Sequence, residues 1–125
     1  MNEKKRILVV DDDHITRDLI CFKLQEGGYD VFTASQCLEA LVSMKENKPD
    51  LVLLDIMMPG LSGLEVLNLI RAEHIVEKLP VIIISQSDDT EMILAAEKLG
   101  ADGYLVKPFE MEILFDKIKT IHGFA

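Results

Sequence analysis

Five short, strongly apolar runs alternate with segments of helical periodicity, and this alternation constrains the fold more than any other feature of the chain. The runs are ILVV (7–10), VFTA (31–34), LVLL (51–54), VIII (81–84) and YLV (104–106). Three of them contain no polar alternation, which is typical of strands buried on both faces. Strict alternation of strands and helices with short connections predicts a parallel sheet with helices on both faces.

Apolar residues in the intervening segments recur every three or four positions, as in helices that bury one face. The last segment shows this pattern most clearly, at Met111, Leu114, Phe115, Ile118 and Ile121. The same spacing predicts buried positions in the second helix at Leu38, Leu41 and Val42, and in the third at Leu64, Val66, Leu67 and Ile70. We therefore expect five β-α units forming one domain over residues 1–125, with no second domain.

Residues that start and stop helices agree with this division of the chain. Ser62 and Glu65 have the spacing of a capping box, which predicts the start of the third helix, and Asp88–Glu91 has similar chemistry before the fourth. Pro59-Gly60 predicts a break in the chain after the third run. Helix ends are predicted at Gly27, Gly28 and Gly100.

Charge and cysteine content limit the partners and the compartment. The 125 residues carry a net charge of −9, which argues against direct binding to nucleic acid or to an anionic membrane. Only four apolar residues follow MNEKKR, too few for a signal peptide, and no run approaches membrane-spanning length. Cys21 and Cys37 lack metal-ligand spacing, so we expect two reduced thiols in a cytoplasmic protein.

Polar residues stand at the ends of four of the five runs. The first run is followed by Asp11, Asp12 and Asp13, the third by Asp55, the fourth by Ser85 and the fifth by Lys107. In an open parallel sheet, ligands bind beyond the carboxyl ends of the strands, so these side chains are predicted to meet at one edge. Each has a simpler alternative alone: an aspartate or Ser85 could cap the following helix, and Lys107 could be exposed to solvent.

Carboxylates at one edge require compensating positive charge. At ~4 Å and an effective dielectric of ~20, each pair repels by on the order of 4 kcal/mol. Mg²⁺ is the expected counter-ion because it takes oxygen ligands from one or two carboxylates and often shares the site with a phosphoryl group. No His or Cys cluster favours a softer metal; His14 is not expected to be a ligand, and His74 and His122 are expected at the surface.

Asp55 is then a carboxylate beside a metal ion and a lysine. An aspartate in such a position can attack phosphorus and form an aspartyl phosphate. The metal ion and Lys107 would neutralise the charge on the phosphoryl oxygens, which is most of what phosphoryl transfer requires of a protein.

Four motifs resemble the receiver domain of bacterial response regulators. They are VVDDD, LVLLDIMMPGLSG, VIIIS and GYLVKPF, which occur in this order and cover about residues 6 to 122. The resemblance implies a flavodoxin-like (βα)5 fold, doubly wound, with a parallel sheet of strand order 2-1-3-4-5. It also implies a phosphorylation-dependent signalling switch that catalyses only its own phosphorylation and dephosphorylation, and is otherwise not an enzyme.

The resemblance also assigns roles to individual residues. Asp55 would accept the phosphoryl group, and Asp11, Asp12, Asp55 and the backbone carbonyl of Met57 would hold Mg²⁺, or Mn²⁺ as a substitute. Lys107 would contact the phosphoryl oxygens, with the Lys107-Pro108 bond in cis. Ser85 would bond the phosphoryl group and Tyr104 would be the switch aromatic, although a half-buried strand aromatic is the alternative for Tyr104. Asp13 is expected to cap a helix or to add a charge behind the metal ligands.

The implied partners are proteins. A sensor histidine kinase or a phosphotransfer protein would supply the phosphoryl group. The surface of the fourth helix, fifth strand and fifth helix would then control a downstream target or a missing output domain, or form a homodimer. Gln86 departs from the family, which usually has a small residue there; it could narrow access to Asp55 or contact the phosphoryl group. Met57 and Ser87 occupy positions that tune the lifetime of the phosphoryl group.

Two other functions fit the sequence less well. A phosphorylation-independent adaptor with the same fold usually lacks an acidic residue or the lysine, whereas this chain keeps them all. A small Mg²⁺-dependent phosphatase or a flavodoxin-like cofactor binder would need a second general acid or base, or a phosphate-cradling loop after the first strand. Neither feature is present in the sequence.

Overall fold

The computed structural model describes residues 4–58, 62–73, 79–121 and 123–124. Five strands form one parallel sheet in the order β2-β1-β3-β4-β5, which confirms the predicted fold class and strand order. They are Arg6–Val10 (β1), Asp30–Ala34 (β2), Leu51–Asp55 (β3), Val81–Ser85 (β4) and Gly103–Val106 (β5). The predicted break at Pro59-Gly60 and the surface positions expected for His74 and His122 lie outside the described residues.

Five helices connect and follow the strands. They are His14–Glu26 (α1), Cys37–Asn47 (α2), Gly63–Glu73 (α3), Thr90–Lys98 (α4) and Met111–Lys119 (α5). Asp13 caps α1 by accepting a hydrogen bond from the Ile15 N–H, as predicted. In the predicted cap of α4, Asp89 rather than Asp88 accepts the bond from the helix. Within the described residues, no helix has the length and apolar character needed to cross a membrane.

The core consists of two apolar clusters, one on each face of the sheet. Alternate residues of the central strands point to opposite faces, as in any β-strand. On one face Leu8 and Leu54 pack in the cluster that includes buried residues of α2, α3 and α4. On the other, Ile7 and Leu53 pack in the cluster that includes those of α1 and α5. The sheet is therefore covered on both sides, and its polar groups are concentrated at its ends.

The buried face predicted for α2 was wrong. Leu38 is 71% exposed and Val42 is 51% exposed, while Leu41 is only partly buried. The residues of α2 that enter the core are instead Cys37, Ala40 and Met44. Ala40 is fully buried, and a small side chain there lets the helix lie close to the sheet, so the two bulkier aliphatic residues are rotated outward.

Candidate functional site

Four strands deliver the predicted site residues to the same edge of the sheet. Asp55 and Ser85 are the last residues of β3 and β4, while Asp11 and Lys107 directly follow β1 and β5. Backbone hydrogen bonds hold Asp11 and Lys107 in line with the sheet. The Asp11 N–H donates to the Ala34 carbonyl at 3.1 Å, and the Lys107 N–H donates to the Ser85 carbonyl at 2.7 Å. The sheet geometry thus fixes where these side chains begin.

The Lys107 ammonium joins two of the carboxylates. Its Nζ atom lies 2.7 Å from Oδ2 of Asp11 and 3.1 Å from Oδ2 of Asp55. Asp11 is fully buried, Asp55 is 4% exposed and the Lys107 side chain is 13% exposed, so water screens both ion pairs only weakly. The Lys107-Pro108 bond is cis, as the resemblance implied. The alternative of a solvent-exposed lysine is therefore wrong.

Asp12 completes a cluster of three carboxylates. Asp11, Asp12 and Asp55 each offer an oxygen within 4.8 Å of the others. The Oδ1 atoms of the two buried members accept backbone hydrogen bonds, from Asp13 N–H to Asp11 at 3.0 Å and from Met57 N–H to Asp55 at 2.8 Å. Asp12 is exposed, so the cluster opens to solvent on its side.

The donor set fits a hard divalent cation. All three side chains offer carboxylate oxygens, the ligands that Mg²⁺ prefers, and each such oxygen has two lone pairs. The negative charge of three carboxylates also exceeds that of the single Lys107 ammonium, which contacts Asp11 and Asp55. The predicted role of the Met57 carbonyl stays a prediction, because the contact that the structure shows for Met57 is made by its N–H.

Burial and neighbouring charges oppose one another at these groups. Burial raises the pKa of the Asp55 carboxyl, and the negative charge of Asp11 acts in the same direction, although the Met57 N–H and the Lys107 ammonium favour the charged form. For Lys107, burial favours the neutral amine, but the hydrogen bond to Asp11 and the two carboxylate charges outweigh it and raise the pKa. Lys107 is therefore a permanent ammonium at neutral pH.

Ser85 and Tyr104 both bond the backbone of Ser87. Ser85 is fully buried, and its Oγ accepts a hydrogen bond from the Ser87 N–H at 3.0 Å. The Tyr104 hydroxyl donates to the Ser87 carbonyl at 2.8 Å. Ser85 does not cap α4, since Asp89 does. Ser85 and Tyr104, the two residues predicted to move on phosphorylation, thus both contact one residue of the loop between β4 and α4. Tyr104 is half-buried and packs against the core cluster of α2, α3 and α4.

Removing the Tyr104 hydroxyl is expected to destabilise the fold modestly. The Tyr104→Phe variant leaves the part-buried Ser87 carbonyl without this donor, so we expect the free energy of unfolding to fall by about 1 kcal/mol. Urea unfolding measures it. Tyr29→Phe is the matched control, because the Tyr29 hydroxyl makes no hydrogen bond within the described residues; equal losses in both variants would contradict the assignment.

Gln86 lies in a surface groove that reaches the site at Lys107. Its side chain is exposed and lines a largely apolar groove of about 320 Å³, which it shares with Lys107, Pro108 and residues of α1. Ile15 and Leu19, both more than half exposed, also line this groove. Whether Gln86 narrows access to Asp55 stays a prediction, as does the influence of Met57 and Ser87 on phosphoryl lifetime.

Two residues at this edge were missed by the sequence analysis. Arg17, in the first turns of α1, donates from Nη1 to the Asp11 carbonyl at 2.9 Å. Gly63, the first residue of α3, lies against the backbone of Asp55 and Ile56. A positive residue six positions after Asp11 was the available signal for Arg17. The close approach of Gly63 depends on how α3 packs, and the sequence does not show it.

Comparison with known sequences agrees with the geometry. The model of the response regulator receiver domain family matches residues 7–119. The alkaline phosphatase synthesis transcriptional regulatory protein PhoP of Bacillus subtilis (strain 168) is 38% identical over 117 residues, which cover 94% of this chain and 48% of PhoP. The response regulator MprA of Mycobacterium sp. (strain KMS) is 40% identical over 116 residues, 93% of this chain and 50% of MprA. The chain thus spans about half the length of these curated relatives.

Solved structures show the same architecture over nearly the whole chain. The chemotaxis protein CheY4 of Vibrio cholerae aligns with a TM-score of 0.90 at 28% identity, covering 95% of this chain and 99% of the CheY4 chain. A CheY-like receiver domain protein from Methanospirillum hungatei JF-1 aligns with a TM-score of 0.87 at 31% identity, covering 94% of this chain and 93% of its own.

Proposed function

This chain belongs to the response regulator receiver domain family, and from that premise we propose that Asp55 accepts a phosphoryl group from the phosphohistidine of a sensor histidine kinase or phosphotransfer protein. The observation that carries the proposal is the meeting of three carboxylates and one ammonium at the strand ends. In particular, Lys107 lies within hydrogen-bond distance of both Asp11 and Asp55. The domain acts as a phosphorylation-dependent switch in a two-component system.

In the transfer step an Asp55 carboxylate oxygen attacks phosphorus and forms an O–P bond. The P–N bond of the phosphohistidine breaks, and its electron pair leaves on the imidazole nitrogen. Asp11, Asp12 and Asp55, with the Met57 carbonyl, would hold Mg²⁺ or Mn²⁺, which when bound neutralises charge on the phosphoryl oxygens. Lys107 supplies a second positive charge from within the protein, already placed 3.1 Å from Asp55.

The structure offers a route from the new charge to the surface. We propose that phosphorylated Asp55 draws the Ser85 hydroxyl and Lys107 toward its oxygens. Ser85 now accepts a bond from the Ser87 N–H, so its movement releases one of the two side-chain bonds to the Ser87 backbone. The other is the Tyr104 bond to the Ser87 carbonyl, and its loss frees the aromatic ring. The population then shifts toward a state with an altered surface of α4, β5 and α5.

The downstream partner follows from the family rather than from the geometry. PhoP is named a transcriptional regulatory protein, and the chain spans about half of its length. We propose that the α4, β5 and α5 surface controls an output unit or a separate protein target, with homodimerisation through the same surface as one form of output. The domain catalyses only its own phosphorylation and dephosphorylation. Its cytoplasmic location and the absence of direct nucleic-acid binding stay predictions.

Phosphoryl uptake from a small donor tests the proposal. The protein is incubated with acetyl phosphate with and without MgCl₂, and its intact mass is measured. We expect the mass to rise by one phosphoryl group only with Mg²⁺, and neutral hydroxylamine to remove the group, because acyl phosphates react with it and phosphoserine does not. Uptake that survives EDTA, or that hydroxylamine leaves in place, would overturn the proposal.

A further inference from the structure

Every polar atom of Asp11 has a partner within the protein. Its N–H donates to the Ala34 carbonyl, its Oδ1 accepts from the Asp13 N–H and its Oδ2 accepts from Lys107. The fourth atom, the backbone carbonyl oxygen, accepts from Nη1 of Arg17 at 2.9 Å. The first three contacts join Asp11 to β2, to the next turn and to the site lysine. The fourth reaches it from α1, one helix turn beyond the Asp13 cap.

The Arg17 contact acts on Asp12 as well as on Asp11. The carbonyl that it binds belongs to the peptide unit joining these two residues, and a peptide unit is planar. Fixing this carbonyl therefore fixes the orientation of the Asp12 N–H and the position of its Cα. The Asp12 side chain is exposed and accepts no hydrogen bond from any described residue. Its placement near Asp11 and Asp55 thus depends on the backbone.

We propose that Arg17 is a positioning residue for the cation site, holding the turn between β1 and α1 so that Asp12 and Asp11 converge with Asp55. This inference rests on the proposed function, because it assumes that the three carboxylates bind Mg²⁺. The contact that the structure shows for Arg17 is with a backbone carbonyl and not with a carboxylate. Its guanidinium is a charged donor, and a charged donor makes a stronger hydrogen bond than a neutral one.

An electrostatic role and a positioning role of Arg17 predict opposite changes in Mg²⁺ affinity when Arg17 is replaced. A positive group close to a cation site repels the cation, so a purely electrostatic role means that its loss tightens Mg²⁺ binding. A positioning role means that its loss weakens binding, because the carboxylates no longer converge without reorganisation. Groups that orient metal ligands typically account for 10–100-fold in metal affinity. The sign of the change therefore separates the two roles.

The experiment is a Mg²⁺ titration of the whole chain, followed by the backbone amide NMR shifts of Asp13 and Met57. We expect Arg17→Met to raise the Kd for Mg²⁺ by about tenfold, the lower end of the range for groups that orient metal ligands. The Kd of Arg17→Lys should lie between the values for Arg17→Met and the parent. Phosphorylation by acetyl phosphate should be slowed at low Mg²⁺ and recover at saturating Mg²⁺. The thermal midpoint is recorded for each variant, and Arg17→Lys provides the comparison where Arg17→Met folds poorly.

Lys23→Met is the matched control, since it removes the same charge from the same helix at an exposed position beside Glu26. Its Kd should equal that of the parent. An Arg17→Met protein that binds Mg²⁺ as tightly as the parent, or more tightly, overturns the positioning role while leaving the proposed function intact. A parent that shows no saturable Mg²⁺ binding, or an Asp12→Asn variant with parental affinity, overturns the cation site and the positioning role together.

Discussion

Replacing Asp55 by asparagine is expected to reduce phosphoryl uptake from acetyl phosphate by on the order of 10³-fold or more, the scale of loss when a nucleophile is removed. The amide has nearly the same shape as the carboxylate but cannot attack phosphorus. Intact-mass measurement with Mg²⁺ present detects the loss. Uptake at the parental rate by the Asp55→Asn protein would place the acceptor elsewhere. Parental affinity of the same variant for a downstream partner would favour the adaptor alternative.

The same substitution is expected to stabilise the fold at neutral pH. Burial raises the pKa of Asp55 above that of the unfolded chain, so the native state disfavours the charged form despite the nearby lysine. Asparagine removes this penalty, and we expect the free energy of unfolding in EDTA to rise by about 1 kcal/mol, within the range for substitutions that trade function for stability.

The sign of the pH dependence follows from linkage. A folded-state pKa above the unfolded one means that the parent loses stability as pH rises from 3.8 through the folded-state pKa. The advantage of Asp55→Asn should therefore be largest above the folded-state pKa of Asp55, shrink as pH falls through that pKa and vanish below 3.8. Asp116→Asn, on the exposed side of α5, is the control and should change neither stability nor uptake. A lower urea midpoint for Asp55→Asn at pH 7 would show that attraction to Lys107 outweighs burial.

The sequence was sufficient to predict which residues meet at the site because a parallel sheet brings all its carboxyl ends to one edge. Lys107 and Asp11 are 96 positions apart, yet their side chains lie 2.7 Å apart. This contact could be expected once four runs were recognised as strands of one sheet, since the position of a residue just after a strand fixes its location. The strand order itself came from the family resemblance, because short apolar runs do not specify which strands are neighbours.

Features that depend on helix rotation and backbone contacts could not be predicted in the same way. In α2, Leu38 and Val42 are more hydrophobic than Ala40, but the fit of a small residue against the sheet decides which face is buried. The Arg17 contact is made to a backbone carbonyl, which every residue has. The sequence therefore could not show which residue Arg17 binds. The shared contact of Ser85 and Tyr104 with Ser87 is likewise a backbone contact.

Gly63 is where such a contact has the largest consequence for stability. A Cβ atom added there would lie 2.7 Å from the Asp55 carbonyl oxygen and closer still to Cα of Ile56. Both obstacles are backbone atoms, so no side-chain rotation relieves the clash, and α3 must move away from the end of β3. Overpacking costs about 1–3 kcal/mol and occasionally more, and we expect Gly63→Ala to lower the free energy of unfolding by about 3 kcal/mol.

The direction of this effect opposes helix propensity, which makes the test sharp. Within a helix, alanine is favoured over glycine by about 1 kcal/mol, so propensity alone predicts stabilisation. Gly103→Ala in β5 is the control, since its Cβ would meet only the Ile82 side chain at 3.5 Å and should be tolerated. Displacement of Ile56 also disturbs the Met57 N–H, which donates a hydrogen bond to Asp55. Phosphoryl uptake should therefore slow in any folded Gly63→Ala protein, because misplacing a reacting group by about 1 Å can lower the rate ~10²-fold. Urea midpoints and uptake rates measure both effects. A Gly63→Ala protein as stable as Gly103→Ala would mean that α3 does not press on the end of β3.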